Sequence, residues 1–214
     1  MHAMNISAVI FDCDGVMFDS RQANENFYNS ILANFGLPPM TSEDIDFVHM
    51  HTAVESVNYI FGDNPDRARA QEYRLKLDYT PFIKDMVIEP GLKEVLDFLK
   101  PRYGLAVATN RSNTIGKVLE VNGLSHYFDI VVSSLDVKNP KPHPESIFKI
   151  LDFFQLAPDQ SVYLGDSAID CETAKAAGVP FAAYKNKELT ADYYVDCLMD
   201  LVGKVLGVSI GIMN

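Results

Sequence analysis

Apolar positions fall into two rhythms along this chain. From residue 88 onward, short unbroken apolar runs alternate with stretches of helical spacing. Pro90-Gly91 opens the amphipathic "LKEVLDFLK", which Pro101 stops, and "GLAVAT" then predicts a buried strand from Gly104 to Thr109. Ser112 is placed to cap the next helix, "NTIGKVLEVN", and Gly123 stands where a C-terminal glycine cap belongs. "DIVVSS" predicts a strand, "PESIFKILDFF" a helix starting at a proline, and "SVYLGD" another strand. "AIDCETAKAAG" predicts a helix ending at Gly178, and "PFAAY" a last short strand. With "AVIFD" near the start, at least five strands are available. Apolar strands separated by helices of this length imply a parallel sheet covered on both faces. The expected fold is α/β, with a doubly wound, Rossmann-like parallel sheet as its core.

Residues 21–87 follow the other rhythm. "RQANENFYNSILANFG" carries Phe27, Ile31, Leu32 and Phe35 at helical spacing. "TSEDIDFV" has a capping signal at Thr41, with Asp44 three positions later. "TAVESVNYIF" and "NPDRARAQEYRLKLDYTPFIKD" are also helical in pattern, and no strand is expected among them. The expected organisation is an α/β core of residues 1–20 and 88–214, with 21–87 inserted as an all-helical unit. The final "GVSIGIMN" alternates weakly and fits an edge strand, a core plug or a contact surface.

Composition narrows the classes. Of 214 residues, 48% are hydrophobic and 22% charged, as in a globular protein with one sizeable core and a smaller module. A formal net charge of -11 without a basic run argues against nucleic-acid binding, which needs clustered Lys and Arg. No apolar stretch reaches the ~18 residues of a membrane helix. "MHAMNISAVIF" lacks the charged and long apolar regions of a signal peptide. Cys13, Cys171 and Cys197 are odd in number and irregular in spacing, so reduced thiols are expected rather than a disulfide framework. The expectation is a soluble, cytoplasmic protein with no nucleic-acid and no membrane partner, a monomer or homodimer.

Three of the predicted strands end in residues suited to chemistry. The first runs into Asp12 and Asp14, the second into Thr109-Asn110, and "SVYLGD" into Asp166 with Asp170 four positions on. Open α/β sheets bind ligands at the carboxyl ends of their strands, so these residues are expected to converge on one crevice. Carboxylates gathered there repel one another and call for positive charge. A hard divalent cation answers that need, and Mg²⁺ suits one or two carboxylates, a carbonyl and waters. Lys141 in "KNPKPHPE" is the candidate lysine, held by Pro140, Pro142 and Pro144 in a stiff loop before a helix.

In order, "DCDGVMFDS", "ATN", "KPHPE" and "GDSAIDCETAKAAG" resemble the four motifs of the haloacid dehalogenase-like hydrolases, and more narrowly their phosphatase and phosphomutase branch. The resemblance covers residues 8–20 and about 88–200, and residues 21–87 sit where that family carries its mobile, substrate-selecting cap. It implies Asp12 as a nucleophile forming an aspartyl-phosphate and Asp14 as acid, then base. It further implies Thr109, Asn110 and Lys141 around the phosphoryl group, and Mg²⁺ held by Asp12, the Asp14 carbonyl and Asp166. Asp170 is then a supporting residue, orienting metal waters or Lys141. Dehalogenases of the superfamily lack an acid in the place of Asp14, so the resemblance implies a small phosphorylated metabolite as substrate. Val16 departs from the Thr found in many members, although phosphomutase relatives also carry Val.

"VATN" and the GDxxxD spacing resemble phosphoglycolate phosphatases more than β-phosphoglucomutases. A sugar phosphomutase is the alternative, and a non-catalytic binding protein on the same fold a third reading, opposed by intact Asp12, Asp14, Lys141 and Asp166. Cys13, between the two acids, is expected in the core. Asn110 is expected to shape the phosphate loop, and Arg111 fits equally a surface charge and a substrate ligand. In the helical segment, His49 and His51 are expected to be solvated or satisfied side chains rather than ligands. A mixed-charge solvent face explains Arg67, Arg69 and Arg74. An anionic substrate would still want a cap cation, for which Arg74 and Arg21 are the candidates. For the cap motion that the resemblance implies, the hinge candidates are the segments around Asp19–Arg21 and Asp85–Glu89.

Overall fold

The computed structural model of the protein describes residues 6–208. The apolar β1 (Ala8–Phe11) leads through a tight turn to a two-residue strand, β2 (Phe18–Asp19). Five helices follow: α1 (Arg21–Asn34), α2 (Ser42–Met50), α3 (Ala53–Phe61), α4 (Arg67–Lys76) and α5 (Thr80–Ile83). After a second short strand, β3 (Val87–Ile88), the chain alternates through α6 (Leu92–Leu99), β4 (Gly104–Ala108), α7 (Ile115–Val121), β5 (Ile130–Val132) and α8 (Glu145–Phe154). It continues with β6 (Ser161–Gly165), α9 (Ala168–Ala177), β7 (Phe181–Tyr184) and β8 (Tyr193–Val195).

Six strands form one parallel sheet in the order β5-β4-β1-β6-β7-β8. The chain winds outward from β1 to β5, then returns to β6 on the other side of β1. That reversal is a topological switch point, where open α/β sheets form their ligand crevice. Register then decides what meets there. Phe11 pairs with Val107 and with Leu164, so Asp12, Thr109 and Asp166 emerge at the same carboxyl edge.

Strand side chains alternate between two buried faces, as a doubly covered sheet requires. Val9, Phe11, Leu105 and Val107 pack on Leu92, Val95, Leu96 and Leu99 of α6. Ile10, Ala106, Ala108 and Tyr163 face Ile147, Ile150 and Leu151 of α8, with Ala174 and Ala177 of α9. Burying each such Leu or Ile contributes roughly 1.5–3 kcal/mol, and truncating Leu99 to Ala would cost about 2–5 kcal/mol. Phe27, Ile31, Val57 and Phe61 of the helical insertion join the α6-side cluster, which therefore runs on from the sheet into the insertion. Among the described residues, no helix is long and apolar enough to cross a membrane.

Local chemistry sets the helix starts. Thr41 and Asp44 form the expected capping box, and Thr52 with Glu55 forms another. Four expectations need correction. The segment before residue 87 breaks at Leu77 into α4 and α5, because Asp78 accepts hydrogen bonds from the Thr80 backbone and hydroxyl and Pro81 follows. Ser112 does not cap α7: its hydroxyl donates to Asn113, and the helix begins after Thr114. Strand β8 extends the sheet beyond "PFAAY". Finally, β2 and β3 pair antiparallel, Phe18 with Ile88 and Asp19 with Val87, so the segment expected to hold no strand ends on one. Strands of two or three residues are too short to carry a period. Most of "GVSIGIMN" lies outside the described residues.

Candidate active site

Asp12 leaves β1 with its backbone N–H donated to the Leu164 carbonyl at 2.9 Å, tying the nucleophile candidate to β6. The chain then turns at Gly15, whose φ of +81° favours glycine. A Cβ at that position would lie 2.0 Å from Asp166 Oδ2. A Cβ at Gly165 would likewise lie 2.4 Å from Asp170 Cβ. These two glycines let the carboxylate-bearing segments approach one another.

Lys141 supplies the positive charge. Its buried Nζ has three hydrogens and three partners: Asp12 Oδ1 at 2.8 Å, Asp170 Oδ1 at 2.7 Å and the Tyr163 hydroxyl at 2.9 Å. The Tyr163 hydroxyl in turn donates to Asp170 Oδ1 at 2.7 Å. Asp170 also belongs to the capping box of α9, its Oδ2 accepting from Ser167 Oγ at 2.6 Å. One carboxylate thus starts a helix and aims a lysine. Asn110 lines the crevice, but its amide pairs with the Lys141 backbone in both directions, each at 3.1 Å. It braces the loop of Lys141, which a cis peptide bond joins to Pro142.

Burial opposes the Asp170 charge, yet Lys141 and the Ser167 and Tyr163 hydrogen bonds outweigh it and hold the carboxyl below its usual range. Burial also opposes the Lys141 charge, and Asp12 and Asp170 overcome it, raising the ammonium above its ordinary value. Asp12 moves up, because burial and the carboxylates of Asp170, Asp166 and Asp14 outweigh Lys141. Asp166 is pushed up to about 7 by burial and by Asp170. Negative charge is in excess here.

Asp12, Asp166 and Asp170 each offer a carboxylate oxygen within 4.8 Å of the others. Both Asp170 oxygens already accept from protein donors. Among the described residues, none donates to Asp12 Oδ2 or to the Asp166 carboxylate, which suits those two groups to ligation. Hard oxygen donors with surplus negative charge fit Mg²⁺.

Arg111 is where sequence reasoning fell short. It is a buried residue rather than a surface charge, and its guanidinium grips Asp14. Nε donates to Asp14 Oδ2 at 2.8 Å and Nη2 to Oδ1 at 2.7 Å, while Ser20 Oγ donates to the same carboxylate. Burial would raise the Asp14 carboxyl, but Arg111 outweighs it and holds the group below its usual range. Nη2 also reaches Tyr79 Oη at 3.2 Å and Asn24 Oδ1 at 3.3 Å, both from the helical insertion. Thr109 is buried beside them, its hydroxyl accepting from the Arg111 N–H at 3.1 Å. The available signal was position: Arg111 directly follows the strand-end pair Thr109-Asn110. Tyr163 carried a weaker one, a hydroxyl between Val162 and Leu164 in the middle of its strand.

One crevice is lined by Asp12, Asp14, Thr109, Arg111, Lys141 and Asp166, and the insertion supplies its other wall with His49, His51, Arg74 and Tyr79. His51 is satisfied, with Nδ1 2.8 Å from the Phe47 carbonyl and its ring stacked on Phe47. Nδ1 of His49 is buried without a hydrogen-bond partner. Arg67 and Arg69 are exposed, as expected, and Arg21 pairs with Asp46 at 2.5 Å on the surface. Arg74, assigned to the same solvent face from sequence, is instead buried. Cys13 lies in the core.

Comparison with known proteins places this geometry. A crystal structure of a hydrolase from Geobacter sulfurreducens, described as haloacid dehalogenase superfamily, subfamily IA, superposes with a TM-score of 0.83 at 38% identity, covering 94% of this chain and 100% of that one. The phosphoglycolate phosphatase of Chromobacterium violaceum is 26% identical over 94% of this chain and 97% of its own. The pyrophosphatase PpaX of Listeria monocytogenes is 28% identical over 95% and 96%. The family model described as haloacid dehalogenase-like hydrolase matches residues 9–184, from β1 through β7 and so across every strand that contributes to the crevice. The chain belongs to the haloacid dehalogenase-like hydrolases.

Proposed function

We propose that this enzyme is a Mg²⁺-dependent phosphatase that hydrolyses a small phosphorylated metabolite through an aspartyl-phosphate on Asp12. The observation that carries the reading is the buried Asp12–Lys141 pair lining the switch-point crevice, a carboxylate held by one oxygen and open at the other. Asp12 Oδ2 attacks phosphorus while the bond from phosphorus to the leaving oxygen breaks, and Asp14, which must first leave the Arg111 guanidinium and take up a proton, delivers that proton to the leaving oxygen. Asp14 then takes a proton from water as the water oxygen attacks phosphorus, releasing inorganic phosphate and restoring the Asp12 carboxylate. Lys141 offsets charge on nucleophile and phosphoryl group, and Thr109 bonds a phosphoryl oxygen. Asp12, the Asp14 carbonyl and Asp166 are the groups to hold Mg²⁺, which when bound neutralises charge on the transferring phosphoryl group.

Residues 21–87 serve as the cap in this reading, and residues 1–20 with 88–214 as the catalytic core. Likeness to proteins named phosphoglycolate phosphatase and pyrophosphatase supports hydrolysis over mutase chemistry. The test is phosphate release from a metabolite panel with Mg²⁺ present. Conversion of a sugar phosphate to its isomer with little free phosphate would favour the mutase, and no release from any ester would favour a non-catalytic protein.

A further inference from the structure

Arg74 sits in the last turn of α4 with only 5% of its surface exposed. Its Nε donates to Gln71 Oε1 at 2.9 Å. Gln71 is itself anchored on α3, donating to the Val54 carbonyl at 2.8 Å and to Asn58 Oδ1 at 3.1 Å. The guanidinium is therefore held in place. Yet Nη1 is buried without a hydrogen-bond partner, and among the described residues no carboxylate lies within ion-pairing distance of the group. A buried charge without a counter-ion is costly, and a missing anion accounts for that cost. Arg74 lines the same crevice as Asp12, Lys141 and Thr109. The other arginines of the insertion, Arg21, Arg67 and Arg69, are exposed.

We propose that Arg74 is a specificity-determining residue that binds a second anionic group of the substrate, selecting phosphate compounds with a carboxylate or a further phosphate over esters of neutral alcohols. The inference rests on the phosphatase reading and names the substrate class of that site. Nη1 supplies a charge-assisted donor, and His49, whose buried Nδ1 also lacks a partner, lines the same wall. Burial lowers the Arg74 pKa only from a value far above neutrality, so the cation persists.

The test compares 2-phosphoglycolate, inorganic pyrophosphate and p-nitrophenyl phosphate, which carry a carboxylate, a second phosphate and no second anion respectively. The wild-type enzyme should favour one of the first two in kcat/KM. In Arg74→Met and Arg74→Gln that preference over p-nitrophenyl phosphate should fall roughly 30-fold, chiefly through KM, with partial recovery in Arg74→Lys. Which doubly anionic compound loses its advantage tells carboxylate from phosphate. Arg74→Gln retains a polar side chain beside Gln71 and guards against a Met variant that fails to fold. An unchanged preference in the substituted enzymes, or a wild-type enzyme indifferent to the second anion, would overturn the proposal while leaving the phosphatase reading intact. No phosphate from any of the three, or from a wider panel, would instead remove the phosphatase reading itself.

Discussion

Arg111 and Asp14 lie 97 positions apart in sequence, with the whole helical insertion between them, yet they form a buried, two-pronged ion pair inside the crevice. The same guanidinium touches Tyr79 and Asn24, so the acid candidate of the core is linked to the helical insertion through a single side chain.

Breaking a buried pair by removing one partner typically costs about 3–5 kcal/mol. Arg111→Met should lower stability by roughly that amount in denaturant melts and reduce turnover. Arg111→Lys should recover little, because an ammonium cannot reproduce the planar fork. Full stability in the lysine variant would show that charge alone suffices.

Asp12→Asn should abolish turnover, by roughly 10⁴-fold or more, while circular dichroism stays that of the parent protein. The amide cannot form the acyl phosphate. Substantial residual activity would refute Asp12 as nucleophile.

Tyr163→Phe deletes one of the three acceptors of Lys141 and a donor to Asp170 without altering the packed ring. The expected loss is about 1–3 kcal/mol of stability, the range for leaving a buried donor unsatisfied. Chemical denaturation measures it directly.

Gly15→Ala places a methyl group against the Asp166 carboxylate and forces a residue with a side chain to hold a φ of +81°. If Asp166 holds Mg²⁺ as proposed, displacing it should raise the Mg²⁺ concentration for half-maximal activity by about tenfold or more. An unchanged Mg²⁺ titration would remove Asp166 from the ligand set.

Asp166 titrates near 7 when folded, against about 3.9 in an unfolded chain. Between those values the folded protein holds a proton that the unfolded chain has released. Its stabilising contribution is therefore complete below about pH 4 and lost as pH rises through 7. Asp12 shifts in the same direction, whereas Asp14 and Asp170 are depressed and matter only at acid pH. In chelator, the melting temperature should fall from about pH 6 to 8. Mg²⁺ should flatten that slope, because the cation takes the place of the proton. A slope indifferent to Mg²⁺ would argue against a site at these carboxylates.

The core of the fold was legible because its buried strands are largely apolar runs and the helices between them have amphipathic spacing. Asp12 and Asp166 were legible for the same reason, standing where such runs end, whereas Lys141 was marked by the prolines that stiffen its loop. Arg111 and Arg74 were not, since an arginine in a polar neighbourhood reads alike whether its partner is solvent or a carboxylate brought by another element. Arg111 depends on a residue from the β1 turn, and Arg74 is buried where α4 packs on α3. The β2–β3 ribbon escaped notice because two residues cannot display a period.

That ribbon has a consequence for how such a protein can be rebuilt. With Phe18 beside Ile88 and Asp19 beside Val87, the two ends of the helical insertion are neighbours, and everything between them hangs from one doubled stem. A foreign segment could be joined at two adjacent points without cutting a strand of the main sheet, provided that it also covers the core where Phe27, Ile31, Val57 and Phe61 now pack. A graft that keeps an asparagine and a tyrosine where Asn24 and Tyr79 meet Arg111 would inherit the link to the acid while bringing its own choice of substrate.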